Sequence, residues 1–174
     1  MLTPKLWYFA FGSNMSAAQM TQRGVQWIEG YRVLGNLKGY RLLFNKLRTK
    51  GPMTEVEGFA NLEKSEPERE VYGVLYGLPS DAGLLILDRY EGVELQQYER
   101  VLVDISVVNY ADLKLPATVT AVTYIARNPQ VIRSNLKPSK EYLGRLLAGR
   151  DLLPSDYYNS LAKTETLTTD QPGA

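Results

Sequence analysis

Few side chains in this chain can move a proton near neutral pH. Its 174 residues include no histidine and no cysteine. That removes the imidazole base, the Ser-His pair, His- or Cys-ligated zinc, disulfides and the thiol nucleophile together. Acid–base work falls to carboxylates, Lys or Tyr with shifted pKa values. Glu91 is placed for such a shift. It precedes Gly92 at the end of a stretch opened by Pro79-Ser80-Asp81, and these residues read as the stop and start of a helix capped by Ser80 or Asp81. At about 100° per residue, Leu84, Leu85, Ile86, Leu87 and Tyr90 centre an apolar face on the Ile86/Tyr90/Leu87 side, with Glu91 at its edge and Asp88 and Arg89 pointing away. Partial burial and the negative end of the helix dipole both disfavour the ionised carboxylate and push its pKa up, as a base in a histidine-free protein requires. The same Glu-Gly pair also suits an ordinary solvated helix end.

A second stretch offers main-chain donors. Leu6-Trp7-Tyr8-Phe9-Ala10-Phe11 is apolar throughout and runs into Gly12-Ser13-Asn14, which reads as a strand covered on both faces, central in a sheet, followed by a turn into a helix near Met15. Gly12 permits a sharp turn and Ser13 or Asn14 can cap the helix, leaving N–H groups free for an anion or a carbonyl oxygen. A plain strand-turn-helix corner uses the same residues. A third stretch is basic: Lys38, Arg41, Lys46, Arg48 and Lys50, with Tyr40 and Phe44 between them. Cations interleaved with aromatics suit phosphate or single-stranded nucleic acid, but a solvated strand face running into a loop fits the balanced total charge better.

The intervening residues supply the elements that position these groups. Ser16 to Arg23 reads as a short helix ended by Gly24, and Gly30 to Leu37 with Gly39 to Leu47 as paired strands. Thr49 to Glu55 is a loop, Val56 to Leu62 and Glu70 to Leu78 are strands, and the glycines of Val71-Tyr72-Gly73-Val74-Leu75-Tyr76-Gly77 suggest a close backbone approach in a curling sheet, hence a barrel. Tyr98 to Val108 alternates as a half-buried strand and returns as Ala117 to Ala126 in a hairpin ending near Tyr124, where core packing is the default role of the ring. Asn128 to Lys137 is a loop bounded by prolines. Helices follow from Pro138-Ser139 to Gly149 and from Pro154-Ser155 to about Lys163.

Length suits one domain, 1–164, with a polar, disordered tail at 165–174. The balance of 20 Lys+Arg against 19 Asp+Glu steers the chain toward neither nucleic acid nor an anionic membrane. No run approaches the ~20 apolar residues of a membrane span, and the short stretch after Lys5 lacks a signal-peptide cleavage region. The expectation is a soluble, cytoplasmic protein, monomer or homodimer, with no membrane or nucleic-acid partner.

Tyr8-Phe9-Ala10-Phe11-Gly12-Ser13-Asn14-Met15 resembles the Tyr-Phe-Ala-Tyr-Gly-Ser-Asn-Leu signature of the gamma-glutamylcyclotransferase family. Leu87-Asp88-Arg89-Tyr90-Glu91-Gly92-Val93 is similar to that family's Leu-Asp-x-x-Glu-Gly-Val segment, and Tyr98 and Tyr124 follow in matching order. The resemblance implies an α+β fold, a small mixed, mainly antiparallel β-barrel flanked by helices. It implies an enzyme that needs no cofactor or metal and releases 5-oxoproline from a small gamma-glutamyl amino acid or amine, the substrate's own α-amine attacking its γ-carbonyl. Under it Glu91 is the catalytic acid/base, and Tyr8, Phe9, Ala10, Phe11, Gly12, Ser13 and Tyr124 bind substrate. Phe11 departs from the Tyr usual before the Gly, which removes one hydroxyl. A non-catalytic metabolite- or nucleic-acid-binding module on the same fold is the competing expectation.

Overall fold

A computed structural model of the chain describes residues 2–51 and 56–168. Its centre is a closed barrel of five strands: β1 (Leu6–Ala10), β2 (Arg32–Lys38), β5 (Glu70–Leu78), β6 (Glu99–Val107) and β7 (Thr118–Ile125), in the order β1-β5-β2-β6-β7. Every pairing is antiparallel except the one that closes the barrel, β1 beside β7, with Trp7 opposite Ala121. The mixed, mainly antiparallel barrel expected above is therefore the fold. β1 lies between β5 and β7, as its unbroken apolar run requires. Gly73 answers for the curvature: a Cβ there would stand 2.5 Å from the Ala10 carbonyl oxygen and 2.7 Å from the Phe9 ring. Phe9, Val74, Leu75 and Ile105 fill the core without exposure.

β3 (Tyr40–Leu47) and β4 (Gly58–Lys64) form a separate two-stranded sheet. The expected pairing of the strands on either side of Gly39 does not occur. One residue is too short for a hairpin loop, and Gly39, at φ 80°, bends the chain away so that β2 pairs with β5 and β6 while β3 pairs with β4. Helices α1 (Ala17–Gln22), α2 (Ala82–Tyr90), α3 (Tyr110–Leu113), α4 (Lys140–Leu147) and α5 (Ser155–Ala162) complete the described elements. α1 is capped by Ser16, whose hydroxyl accepts from the Gln19 N–H, rather than by Ser13 or Asn14, which lie in a 3₁₀ turn at Ser13–Met15.

The inward face of α2 is rotated from the expected one. Leu84 and Leu87 are buried while Tyr90 is 55% exposed, and Asp88 turns inward because β6 and β7 supply partners for its charge. Past α5 the chain is tied at two points: Lys137 pairs with Glu165 at 2.8 Å and the Leu167 N–H donates to the Pro138 carbonyl at 3.0 Å. Residues 52–55 of the expected loop and 169–174 of the expected disordered tail lie outside the described residues. Among the described residues no helix is long and apolar enough to cross a membrane.

Candidate active site

Three elements converge on one cavity of about 320 Å³: the turn after β1, the C-terminal end of α2, and the end of β3. The turn is held from outside. Tyr76 on β5 donates its hydroxyl to the Asn14 carbonyl at 2.7 Å, and Arg32 on β2, itself paired with Asp151, donates to the Met15 carbonyl at 2.8 Å. Gln19 donates to Ser13 Oγ at 2.6 Å and to Asn14 Oδ1 at 3.0 Å. With carbonyls and side chains so engaged, the N–H groups of Gly12, Ser13 and Asn14 have no internal partner among the described residues, and all three residues line the cavity. Such a run of free amides is a ready site for an oxygen bearing negative charge.

Gly12 serves close approach rather than a sharp turn. Its φ of −114° is open to any residue, but a Cβ would stand 3.3 Å from both the Tyr142 hydroxyl and the Ala60 Cβ.

Glu91 follows the last residue of α2, donating its own N–H to the Leu87 carbonyl at 2.8 Å, and Gly92, at φ 64°, ends the helix. The half-buried carboxyl accepts from Asn14 Nδ2 at 3.5 Å. Loss of water pushes its pKa up to about 7, against the opposing pull of Arg23 and Lys46. Asn14 is the hub, since it also donates to the Tyr8 hydroxyl at 3.0 Å and accepts from Arg23 at 3.0 Å.

Behind Glu91, Asp88 anchors the helix end. It accepts from the Tyr124 hydroxyl at 2.7 Å and from Arg100 Nε and Nη2 at 2.7 and 2.6 Å, which ties α2 to β7 and β6. Tyr8, Tyr98, Tyr124 and Tyr142 surround the cavity, each with its phenol pKa raised by burial, so they stay protonated donors. Glu91 is left as the carboxyl able to exchange a proton near pH 7.

Of the residues singled out in the sequence, Glu91, Tyr8, Phe11, Gly12, Ser13 and Tyr124 line this one cavity. Phe9 and Ala10 do not. Side chains alternate along a strand, so Phe9 faces away from Tyr8, packs against Gly73 and gives its carbonyl to the Thr123 hydroxyl at 2.8 Å. Ala10 is sealed in the core at 1% exposure. Tyr124 lines the wall, but its hydroxyl is committed to Asp88.

The sequence alone gives Arg23 and Tyr142 no role, places Lys46 in a basic stretch that reads best as a solvated face, and offers Asn14 as a cap. Tyr98 and Tyr142 grip the same residue of β4: the Tyr98 hydroxyl donates to the Ala60 carbonyl at 2.8 Å and the Tyr142 oxygen accepts the Ala60 N–H at 3.0 Å. The basic stretch is not a solvated face at its centre, because Lys46 is 3% exposed, while Arg41 and Arg48 are paired with Glu63 and Glu57. Alternation of Phe44, Lys46 and Arg48 would put all three on one face, but the register of β3 shifts between Leu43 and Lys46 and turns Lys46 inward.

Residues 70–161 match the model of the AIG2-like family. In fold, the chain is similar to a structure described as a gamma-glutamyl cyclotransferase, at 24% identity over 97% of this chain and 92% of that one, with a TM-score of 0.76. YkqA from Bacillus subtilis is 21% identical over 93% of this chain, which spans 56% of that longer one, at a TM-score of 0.72. A yeast gamma glutamyl cyclotransferase specific to glutathione is 14% identical over 90% and 93% of the two chains, at a TM-score of 0.61. No curated protein matches in sequence.

Proposed function

The chain belongs to the AIG2-like family, and on that footing we propose that it is a gamma-glutamylcyclotransferase-type enzyme releasing 5-oxoproline from a small gamma-glutamyl compound. One observation carries the reading: a carboxyl poised at about pH 7 and a turn of unpartnered amides line the same small cavity. The description of a fold neighbour as a gamma-glutamyl cyclotransferase supports it.

The chemistry asks little of the protein beyond these parts. The substrate supplies its own nucleophile, so no Ser, Cys or metal is needed for covalent work. Glu91 takes a proton from the α-ammonium, whose ordinary pKa is about 8. The freed amine attacks the γ-carbonyl carbon, and the N–H groups of Gly12, Ser13 and Asn14 donate to oxygens of the glutamyl part. The new ring C–N bond forms, the amide C–N bond breaks, and the proton held by Glu91 passes to the departing nitrogen. The ring nitrogen sheds its second proton to become the lactam N–H, the amine leaves as an ammonium with that equivalent, and the step is neutral in protons. Acid–base participation of this kind is worth about 10²–10⁴ in rate, and holding the chain in a ring-closing conformer about 7 kcal/mol or more of the barrier. Phe11 lines the cavity without a hydroxyl, so Asn14 and Tyr8 are the groups left to orient Glu91 from that side.

Incubation with a panel of gamma-glutamyl amino acids, peptides and amines, scored for 5-oxoproline, tests the proposal. Release by the wild type and its loss in a folded Glu91→Gln variant is the expected result. An active Glu91→Gln variant overturns the role given to Glu91, and silence across the panel overturns the function. A nucleic-acid-binding role draws less support, because the basic stretch is broken up by the ion pairs of Arg41 and Arg48 and by the burial of Lys46.

A further inference from the structure

Lys46 is a buried, cavity-lining cation that the ring closure leaves unused. Its side chain is 3% exposed, yet it lines the cavity. The ammonium donates to the Leu47 carbonyl at 2.8 Å and to Gln97 Oε1 at 2.6 Å, and lies 5.7 Å from the centre of the Phe59 ring and 5.5 Å from that of Tyr98. Thr49 donates to the same Gln97 oxygen at 2.9 Å and fixes its orientation. No carboxylate among the described residues forms an ion pair with Lys46. Two of its three N–H bonds are spent on neutral oxygens, so a buried cation is left with one free donor; Glu91, on the same cavity, is the carboxylate whose charge it feels, but the two share no hydrogen bond. A buried ammonium with a donor unspent costs the folded protein free energy that a ligand carboxylate would offset.

The surroundings repeat the bias. The cavity is lined by six cationic side chains, Arg23, Lys46, Arg48, Lys50, Arg89 and Arg145, and by one carboxylate, Glu91. Arg48 is locked beside Lys46 by Glu57, at 3.1 Å, and by the Lys50 carbonyl, at 2.7 Å. A gamma-glutamyl amine brings no net charge to this field from its glutamyl half, whose α-carboxylate and α-ammonium cancel. A gamma-glutamyl amino acid brings one more carboxylate on the leaving half. Lys46 stands on the β3 wall, apart from the turn whose amides meet the glutamyl oxygens.

We propose that Lys46, with Arg48 beside it, receives the carboxylate of the leaving group and so selects gamma-glutamyl amino acids and peptides over gamma-glutamyl amines. This rests on the ring-closing function proposed above. A carboxylate set against a buried ammonium makes a short charge-assisted hydrogen bond, and removing one partner of such a pair costs enough to change affinity by about 100-fold.

The test compares gamma-glutamylalanine with gamma-glutamylethylamine, which differ by that carboxylate alone. Wild-type kcat/KM for 5-oxoproline release should favour the alanine compound about 100-fold, mostly through KM. In Lys46→Met, which keeps the aliphatic stem in its slot, the advantage should collapse to within about threefold, with folding checked by thermal melting. The wild-type comparison needs no variant and stands even if Lys46→Met misfolds. Equal turnover of the two compounds by the wild type overturns the proposal, as does a Lys46→Met variant that loses both alike, since Lys46 would then be holding the glutamyl half. Release from neither compound, nor from any other gamma-glutamyl compound, is a different failure and sinks the parent function.

Discussion

The two walls of the cavity are built to different standards. On one side stand the turn after β1 and the end of α2, both fastened to the closed barrel: Tyr76 and Arg32 hold the turn's carbonyls, and Asp88 is gripped by Tyr124 and Arg100. On the other side is the β3–β4 sheet, which is outside the barrel and breaks register before Lys46. It is fastened by side chains and by loop backbone instead of by the barrel ladder: the two tyrosines on Ala60, the paired bonds between Asn61 and Ala126 at 2.8 and 2.9 Å, and backbone bonds that join Leu47 to Val131, Asn45 to Arg133 and Gly58 to Lys137. The contrast teaches a division of labour. On the function proposed above, the groups that meet a reacting atom sit on a turn and a helix end bonded to the barrel, while the groups that read the rest of the substrate sit on an appended sheet whose residues can change without opening the barrel.

Breaking the first wall should harm every substrate alike. The largest effect belongs to Glu91→Gln, which should lower kcat by about 10³-fold on any substrate the wild type turns over. The same carboxyl sets a pH profile. With a pKa of about 7 it is protonated and idle as a base at pH 6, so kcat/KM should rise through pH 7, and a flat profile from pH 5.5 to 8 would disprove its role as base. Its stability effect has the opposite sense. The folded pKa lies above the ordinary 4.5, so ionisation costs the folded state, a cost absent below pH 4.5 and complete above about 7. Glu91→Gln should therefore melt above the wild type at pH 8 and level with it at pH 4.5.

Next in size is Asn14→Ala. It strips a partner from Tyr8, Gln19, Arg23 and Glu91 together and should cost about 1–3 kcal/mol of stability in denaturant titration, with activity falling on acid and amine substrates in equal measure. Tyr142→Phe sharpens the comparison from the other wall. It leaves the Ala60 N–H without its acceptor and should destabilise by about 1–2 kcal/mol while raising KM more than it lowers kcat. The smallest effect is expected for Tyr124→Phe, about 1 kcal/mol or less, because Asp88 keeps both bonds to Arg100.

Legibility in the sequence divides between local signals and distant partners. The central strand Leu6–Ala10, the β6–β7 hairpin and the end of α2 at Glu91-Gly92 were readable because apolar run, alternation and a helix-stopping glycine are local signals. The partner of β2 was not, since it depends on where a single residue, Gly39, sends the chain. Helical periodicity misplaced Asp88 for a related reason: a charge is assigned to solvent unless its partner is known, and Arg100 lies across on β6. Lys46 was hidden by a register shift no pattern of residues announces. The site was thus legible where local signals mark it, at the turn after β1 and at Glu91, and illegible where it rests on partners from distant elements, as with Arg23, Lys46, Asp88 and Tyr142.

Closure of the barrel by a parallel pair has a consequence for biosynthesis. β1 precedes both of its neighbours in the chain, so its aromatic face waits unsheltered until β5 and then β7 emerge from the ribosome. The amide turn it carries takes its shape from β2 and β5, and a nascent chain stopped short of Thr118 holds both the turn and Glu91 with no closed barrel to set them against each other.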